Sequence, residues 1–294
     1  MSSIFIFPGQ GSQTVGMGLD LFEASPAARA VFEEVDDALN QKLSDIIFGG
    51  PMEELTLTAN VQPAIFAVSA AMLAAKMEQG LVAPAYVAGH SLGEYSALYC
   101  AGAMTLQDTA KLLRLRGDAM QAAVPVGVGM VSVIIGLDIE QVREICAAAG
   151  CEVANDNSPG QVVISGLKET VERAMEIAKE QGAKRAMPLP LSAPVHCRLQ
   201  EPTAMKMREA LAKIEMKTPH VPLISNRTAA PMADIAEIKE ALVYQITHGV
   251  RWRESVLAMP ALGITETIEI GPGNILTGLT PRIVPEMSAI KLEI

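Results

Sequence analysis

The sequence predicts an α/β protein in two parts: a large domain built on a parallel sheet, and a small ferredoxin-like domain inserted into it. Two observations carry this. Short apolar strands alternate with helical apolar spacing over the first hundred residues and again toward the C-terminus, with Gly- or Pro-bearing turns between them. From about 124 to 193 the order becomes strand, helix, strand, strand, helix, strand, which is the βαββαβ ferredoxin-like pattern. Residues 1–123 and 194–294 are therefore expected to form the large domain, and 124–193 the insertion.

The elements follow in order. Ser3–Phe7 reads as an apolar strand running into the loop Pro8-Gly9-Gln10-Gly11-Ser12-Gln13, whose glycines allow the backbone to come close to something. Ala28–Ile47 has helical spacing. Thr58–Gln79 reads as a long apolar helix with Pro63 near its start. Tyr86–Ala88 reads as a strand, and Ser91–Gly102 and Thr105–Ala123 as helices. In the insertion the expected strands are Gly129–Leu137, Cys151–Asn155, Gln161–Ser165 and Lys184–Leu191, with helices at Ile139–Ala149 and Glu169–Gln181. Proline-rich Pro188–Pro194 returns the chain to the large domain. There the pattern gives a helix at Glu201–Ile214, a strand at Val221–Ser225 and a helix at Ile235–Ile246. A strand at Thr265–Ile270 and a last helix beyond Gly271-Pro272-Gly273 complete it.

Composition narrows the function. Half of the 294 residues are apolar, enough for a sizeable core without disulfide or metal staples. With 33 acidic and 23 basic residues the net charge is −10, so nothing general attracts nucleic acid or anionic lipid. The basic clusters are small: Lys111 with Arg114 and Arg116, Lys184/Arg185, Arg198, and Arg251/Arg253. The four cysteines show no C-x-x-C spacing, and Cys100 and Cys146 read as buried thiols. The opening residues lack the charged segment and apolar length of a secretion signal, and no apolar run reaches about 18 residues, the length of a membrane span. The expectation is a soluble, cytoplasmic protein with reduced thiols.

Gly89-His90-Ser91-Leu92-Gly93 fits G-x-S-x-G, with a strand before it and a helix after it. That is the setting of a nucleophile elbow on an α/β-hydrolase-like sheet. Such a turn is too tight for Cβ atoms at its flanks. It presents the serine hydroxyl above a helix N-terminus, where free N–H groups favour a developing oxyanion. The plainer alternative is a serine N-cap. A serine nucleophile needs a base, and there are four histidines. His90 lies within the elbow, with its side chain expected to point elsewhere. His220 precedes a strand and reads as a surface or satisfied residue. His248 follows a helix and reads as a C-cap. His196, in the rigid loop Ala193-Pro194-Val195-His196-Cys197, is the fourth candidate, and spacing alone does not choose. Arg116 is either a solvated helix arginine or a fork for a substrate carboxylate.

Taken together, several motifs resemble one family, the malonyl-CoA:acyl carrier protein transacylases. They are Phe7-Pro8-Gly9-Gln10-Gly11-Ser12-Gln13, Gly89–Tyr95, Leu115-Arg116-Gly117, Asn155–Gln161 and Glu269–Gly273, in the family's order over nearly the whole chain. The resemblance implies that Ser91 is acylated, with His196 as its base. It implies an oxyanion hole from the backbone N–H groups of Gln10 and Leu92, and Arg116 pairing with the malonyl carboxylate. Gln62 matches a glutamine of the acyl pocket, and Gln245 the position that orients the histidine, a carbonyl replacing the usual third acid. It implies no cofactor and no metal. It implies malonyl-CoA and an acyl carrier protein as partners; the acidic charge and the lack of a long apolar run lead to the expectation of no nucleic acid and no membrane, and a monomer is expected. The sequence departs from the family at Val195, where Ser or Phe is commoner, and at His248, where Asn-Pro is commoner before Val-x-Trp. A free-standing acyltransferase of a polyketide or malonate decarboxylase system shares every one of these motifs. A serine esterase would want an Asp or Glu between Ser91 and a C-terminal histidine. A silent carrier-binding subunit would have no need of Ser91, His196 and Arg116.

Overall fold

The computed structural model describes residues 2–293; Met1 and Ile294, the outer ends of the expected large domain, lie outside them. The chain opens with β1 (Ser2–Phe7), α1 (Leu19–Ala24), α2 (Pro26–Leu39), α3 (Leu43–Gly49), α4 (Met52–Thr56) and α5 (Thr58–Glu78). Next come β2 (Tyr86–Gly89), α6 (Gly93–Cys100) and α7 (Leu106–Ala123). The single helix expected at 28–47 is two helices. Asn40 takes the left-handed conformation at φ 48°, which ends α2, and the Asp36 carboxylate accepts from the Ser44 backbone and hydroxyl to start the next turn. The helix expected from Ser91 begins only at Gly93, leaving Ser91 and Leu92 in the turn before it.

The middle of the chain forms β3 (Gly129–Ile135), α8 (Ile139–Ala149), β4 (Glu152–Ser158), β5 (Gln161–Leu167), α9 (Lys168–Glu180) and β6 (Arg185–Pro188). These strands make one antiparallel sheet in the order β4-β5-β3-β6, the ferredoxin-like arrangement. One face packs Ile134, Val162 and Ile164 against Val142 and Ile145 of α8 and Val171 and Ala174 of α9. The opposite face turns Val131, Val133 and Val163 toward Met120 and Val195 of the large part. This sheet is thus clamped between its own helices and the rest of the molecule.

The remainder comprises α10 (Glu201–Lys213), β7 (Leu223–Ile224), β8 (Pro231–Met232), α11 (Ile235–Thr247), α12 (Trp252–Ala258), β9 (Ile264–Glu269), α13 (Ile275–Ile283) and β10 (Ser288–Lys291). Three strands are shorter than the sequence suggests, β3, β6 and β7. The short elements α1, α4, α12, β8 and β10 have too few residues to show a period. The larger sheet runs β10-β9-β1-β2-β7-β8, parallel throughout except for the hairpin pairing of β7 with β8. Because β1 lies inside it, both its faces are covered. Phe5 and Phe7 pack with α2 and α5, while Ile4 and Ile6 pack with Trp252, Leu276 and Leu279. Each such side chain contributes about 1.5–3 kcal/mol by leaving water.

Helix α5 is apolar all round and is the one helix among the described residues long and apolar enough to cross a membrane. Here 89% of its apolar window is buried within the fold, as in a core helix of a globular protein. Of the two cysteines expected to be buried, Cys146 is, whereas Cys100 is only half-buried at the end of α6.

Candidate active site

Ser91 sits between β2 and α6 at φ 55°, a conformation that L-residues other than Asn and Asp seldom adopt. The surroundings compel it. A Cβ on Gly89 would lie 1.9 Å from the Gly93 carbonyl carbon, and one on Gly93 would lie 2.3 Å from the Phe7 oxygen. Both glycines are therefore required for α6 to start against β2 and β1. Asn226, just past the end of β7, ties the turn down. Its Oδ1 accepts from the Ser91 N–H at 2.8 Å, and its Nδ2 donates to the Gly89 carbonyl at 2.7 Å.

The His196 side chain is buried, and its backbone too is in the left-handed region, at φ 53°. Its Nε2 is 2.8 Å from Ser91 Oγ and its Nδ1 is 2.5 Å from the Gln245 carbonyl. A carbonyl can only accept, so Nδ1 carries the proton and Nε2 is left free to receive one from the serine. Burial first, and the charge of Arg116 second, push the imidazole down to about 3, so it is neutral at ordinary pH.

Arg116 is buried, so the solvated-helix reading does not apply. Its Nη1 donates to Gln62 Oε1 at 2.7 Å, and its Nη2 donates to Ser91 Oγ at 3.1 Å and to Gln245 Oε1 at 3.2 Å. Its Nε has no partner among the described residues, and its guanidinium lies 5.9 Å from the centre of the Tyr95 ring. No carboxylate among the described residues forms an ion pair with it. A buried cation whose donors meet only amides and a hydroxyl is a ready receptor for an anion.

These side chains border a cavity of about 40 Å³. Gln10, Leu92, Asn155 and Val195 line it too. Among the described residues, no acceptor is bonded to the backbone N–H of Gln10 or of Leu92. Both groups stay available to an oxyanion.

Of the residues singled out in the sequence, Ser91, His196, Arg116, Gln62 and Gln245 are joined by direct hydrogen bonds, and Gln10 and Leu92 stand beside them. The other histidines take no part in that pairing. His90 turns its Nε2 to Asn157 Oδ1 at 2.8 Å. His220 is exposed. His248, at the C-cap of α11, stacks on Tyr244 at 3.7 Å between ring centres, and its Nδ1 lies 3.1 Å from the Tyr244 carbonyl. The departure at 248 therefore leaves the Gln245 carbonyl on His196.

The sequence reasoning missed Asn226 and Glu94. Asn226 follows a parallel strand at its carboxyl end, where α/β sheets place their ligands, and that signal was available. Glu94 belongs to the Gly89–Tyr95 motif, yet nothing in the sequence marked it as buried. Its Oε1 accepts from the Asn226 backbone at 2.6 Å and its Oε2 from Gln245 Nε2 at 2.5 Å. Burial pushes its carboxyl up to about 7, against the pull of those bonds and of the Arg116 charge.

An elbow serine paired with a histidine in an α/β body defines an enzyme of acyl chemistry through serine, and the acyl transferase domain family matches residues 4–288. The malonyl CoA-acyl carrier protein transacylase of Bacillus subtilis (strain 168) is 47% identical over 99% of this chain and 93% of its own length. That of Escherichia coli (strain K12) is 47% identical over 98% of this chain and 94% of its own. Among solved structures, the acyl-carrier-protein-S-malonyltransferase from Bartonella henselae superposes with a TM-score of 0.98 at 51% identity, covering 100% of this chain and 96% of the other. A malonyl-transacylase solved in complex with a type II PKS acyl-carrier protein gives 0.97 at 44% identity, covering 99% and 96%. The chain belongs to the acyl transferase family and, within it, to the malonyl CoA-acyl carrier protein transacylases.

Proposed function

We propose that this chain transfers a malonyl group from malonyl-CoA to the phosphopantetheine thiol of an acyl carrier protein through a malonyl ester on Ser91. The observation that carries this is the joint geometry of Ser91: His196 Nε2 at 2.8 Å to take its proton, and the buried Arg116 at 3.1 Å to hold a carboxylate beside it. Ser91 Oγ attacks the thioester carbonyl as its proton passes to Nε2. The tetrahedral oxyanion lies between the N–H groups of Gln10 and Leu92. The C–S bond breaks, and coenzyme A leaves with the proton from His196. The carrier thiol then gives its proton to His196 and attacks the ester, and Ser91 leaves and is reprotonated. The chain's own groups supply nucleophile, base and donors, so the reaction asks for no metal or cofactor. The Gln245 carbonyl does the orienting that an acid does in a triad.

We read residues 124–193 as a subdomain completing the cleft, and the protein as a cytoplasmic monomer. A polyketide carrier is a second acceptor to test, a reading favoured by the 44% identical malonyl-transacylase that was solved with one. The test is intact mass after brief incubation with malonyl-CoA or acetyl-CoA, followed by addition of each carrier. The expected result is an adduct of about 86 Da from malonyl-CoA, little adduct from acetyl-CoA, and discharge of the malonyl group to the carrier. Free coenzyme A released with no adduct and no carrier product would mean hydrolysis instead.

The two donors are also expected to differ in pH dependence. The Arg116 charge helps hold the His196 pKa low, and a malonyl carboxylate paired with Arg116 cancels that charge. The pKa of His196 then rises in the malonyl complex, so protonation disables the base at a higher pH. Glu94, which also faces Arg116, shifts in the same direction. The acid limb of the acylation rate should therefore lie at higher pH for malonyl-CoA than for acetyl-CoA. Superimposable limbs in quenched-flow mass measurements would contradict this.

A further inference from the structure

Five residues at the site close a ring of hydrogen bonds that begins and ends on Ser91. The Ser91 N–H donates to Asn226 Oδ1 at 2.8 Å, and the Asn226 N–H donates to Glu94 Oε1 at 2.6 Å. Gln245 Nε2 donates to Glu94 Oε2 at 2.5 Å, while Gln245 Oε1 accepts from Arg116 Nη2 at 3.2 Å. The same Nη2 returns to Ser91 Oγ at 3.1 Å. The backbone carbonyl of Gln245 holds His196. Glu94 is the ring's only acid, is fully buried, and spends one oxygen on each arm. It touches neither the nucleophile's oxygen nor the base.

An acceptor with two oxygens is what this junction needs. Both arms present N–H donors, so an amide at position 94 would set its NH₂ against either the Asn226 N–H or Gln245 Nε2. The carboxylate also fixes the Gln245 amide, because Nε2 must face the acid and Oε1 must face the arginine. One buried group thus sets the Ser91 turn on one side, and on the other Gln245, whose backbone carbonyl holds His196 and whose Oε1 accepts from Arg116.

We propose that Glu94 is a positioning residue for acyl transfer, holding Ser91 through Asn226 and holding His196 and Arg116 through Gln245. This rests on the transfer reading above. A neutral serine reagent, phenylmethanesulfonyl fluoride, separates the two, since its reaction reports the Ser91–His196 alignment without needing Arg116. Wild-type protein should be sulfonylated at Ser91; failure of both sulfonylation and malonylation would overturn the transfer reading itself. Glu94→Gln should fold and be labelled about a hundredfold more slowly, the scale of losses when an orienting partner of a base is altered.

The double variant Glu94→Gln/Gln245→Glu exchanges acid and amide. The Asn226 N–H then donates to the amide oxygen introduced at position 94, that amide's NH₂ donates to the acid at position 245, and Arg116 keeps an acceptor. Its labelling should recover at least about tenfold over the single variant. Its malonyl preference should not recover, because the carboxylate now pairs with Arg116. A merely structural Glu94 would give loss of folding without that split. Labelling of a folded Glu94→Gln within about twofold of wild type, or no recovery in a folded double variant, would overturn the proposal. If Glu94→Gln does not fold, Asn226→Ala cuts the ring on the other arm, and undiminished labelling of that variant, folded, would overturn it equally.

Discussion

Ser91→Ala is expected to form no acyl adduct with malonyl-CoA and to lose roughly 10⁵- to 10⁶-fold in transfer rate, as when the serine of a serine–histidine pair is removed. The hydroxyl is the atom to which His196 and Arg116 are both directed, at 2.8 and 3.1 Å. Among the described residues no other hydroxyl or thiol lines the cavity: the remaining lining groups are amides, the imidazoles of His90 and His196, a guanidinium and apolar side chains. The fold should survive. Alanine at φ 55° bears the same backbone strain as serine, and the ties from Asn226 are to backbone atoms that the substitution leaves in place. Intact mass and a thermal melt decide the matter together. A malonyl adduct persisting in the folded variant would rule out Ser91 as the point of attachment.

Arg116→Ala is expected to lower kcat/KM for malonyl-CoA by about 10²- to 10³-fold, the range for removing one partner of a buried charge pair. Acetyl-CoA should lose far less, so the preference between the two collapses. An uncharged acyl group gains nothing from the guanidinium and leaves it buried without an anion. Removing the positive charge also lifts one of the influences that depress His196, which leaves a stronger base for the uncharged substrate. Gln62 Oε1 and Gln245 Oε1 each lose a donor, so some loss of stability accompanies the change. Competition between malonyl- and acetyl-CoA for Ser91, read by adduct mass, measures the ratio directly. A ratio equal to that of the wild type would remove Arg116 from the specificity account.

The features legible in the sequence were those written in neighbouring residues. The elbow was one, because Gly89 and Gly93 are dictated by contacts within the turn and the adjoining strand, and a strand–glycine–serine–glycine–helix order records that need. The insertion was another, since alternating elements of fixed length declare their order without reference to the rest of the chain. The strand β1 and the core helix α5 announced themselves through continuous apolar runs. What local pattern could not show was a break set by a single residue: apolar spacing runs straight through Asn40, whose left-handed backbone ends the helix.

The sequence by itself determined the fold class, the tight turn at Ser91 and, through motifs in family order, the names of the residues gathered around it. Only the tertiary structure decided that His196 Nε2 lies 2.8 Å from Ser91 Oγ, that Arg116 is buried without a carboxylate partner among the described residues, and that Glu94 lies beneath the turn. The reason is physical. Ser91, His196, Asn226 and Gln245 come from four separate stretches of chain and meet only when β2, β7 and α11 pack together. Burial and the pKa shifts it causes belong to that packing, because desolvation depends on every atom around a group and on none of its sequence neighbours in particular.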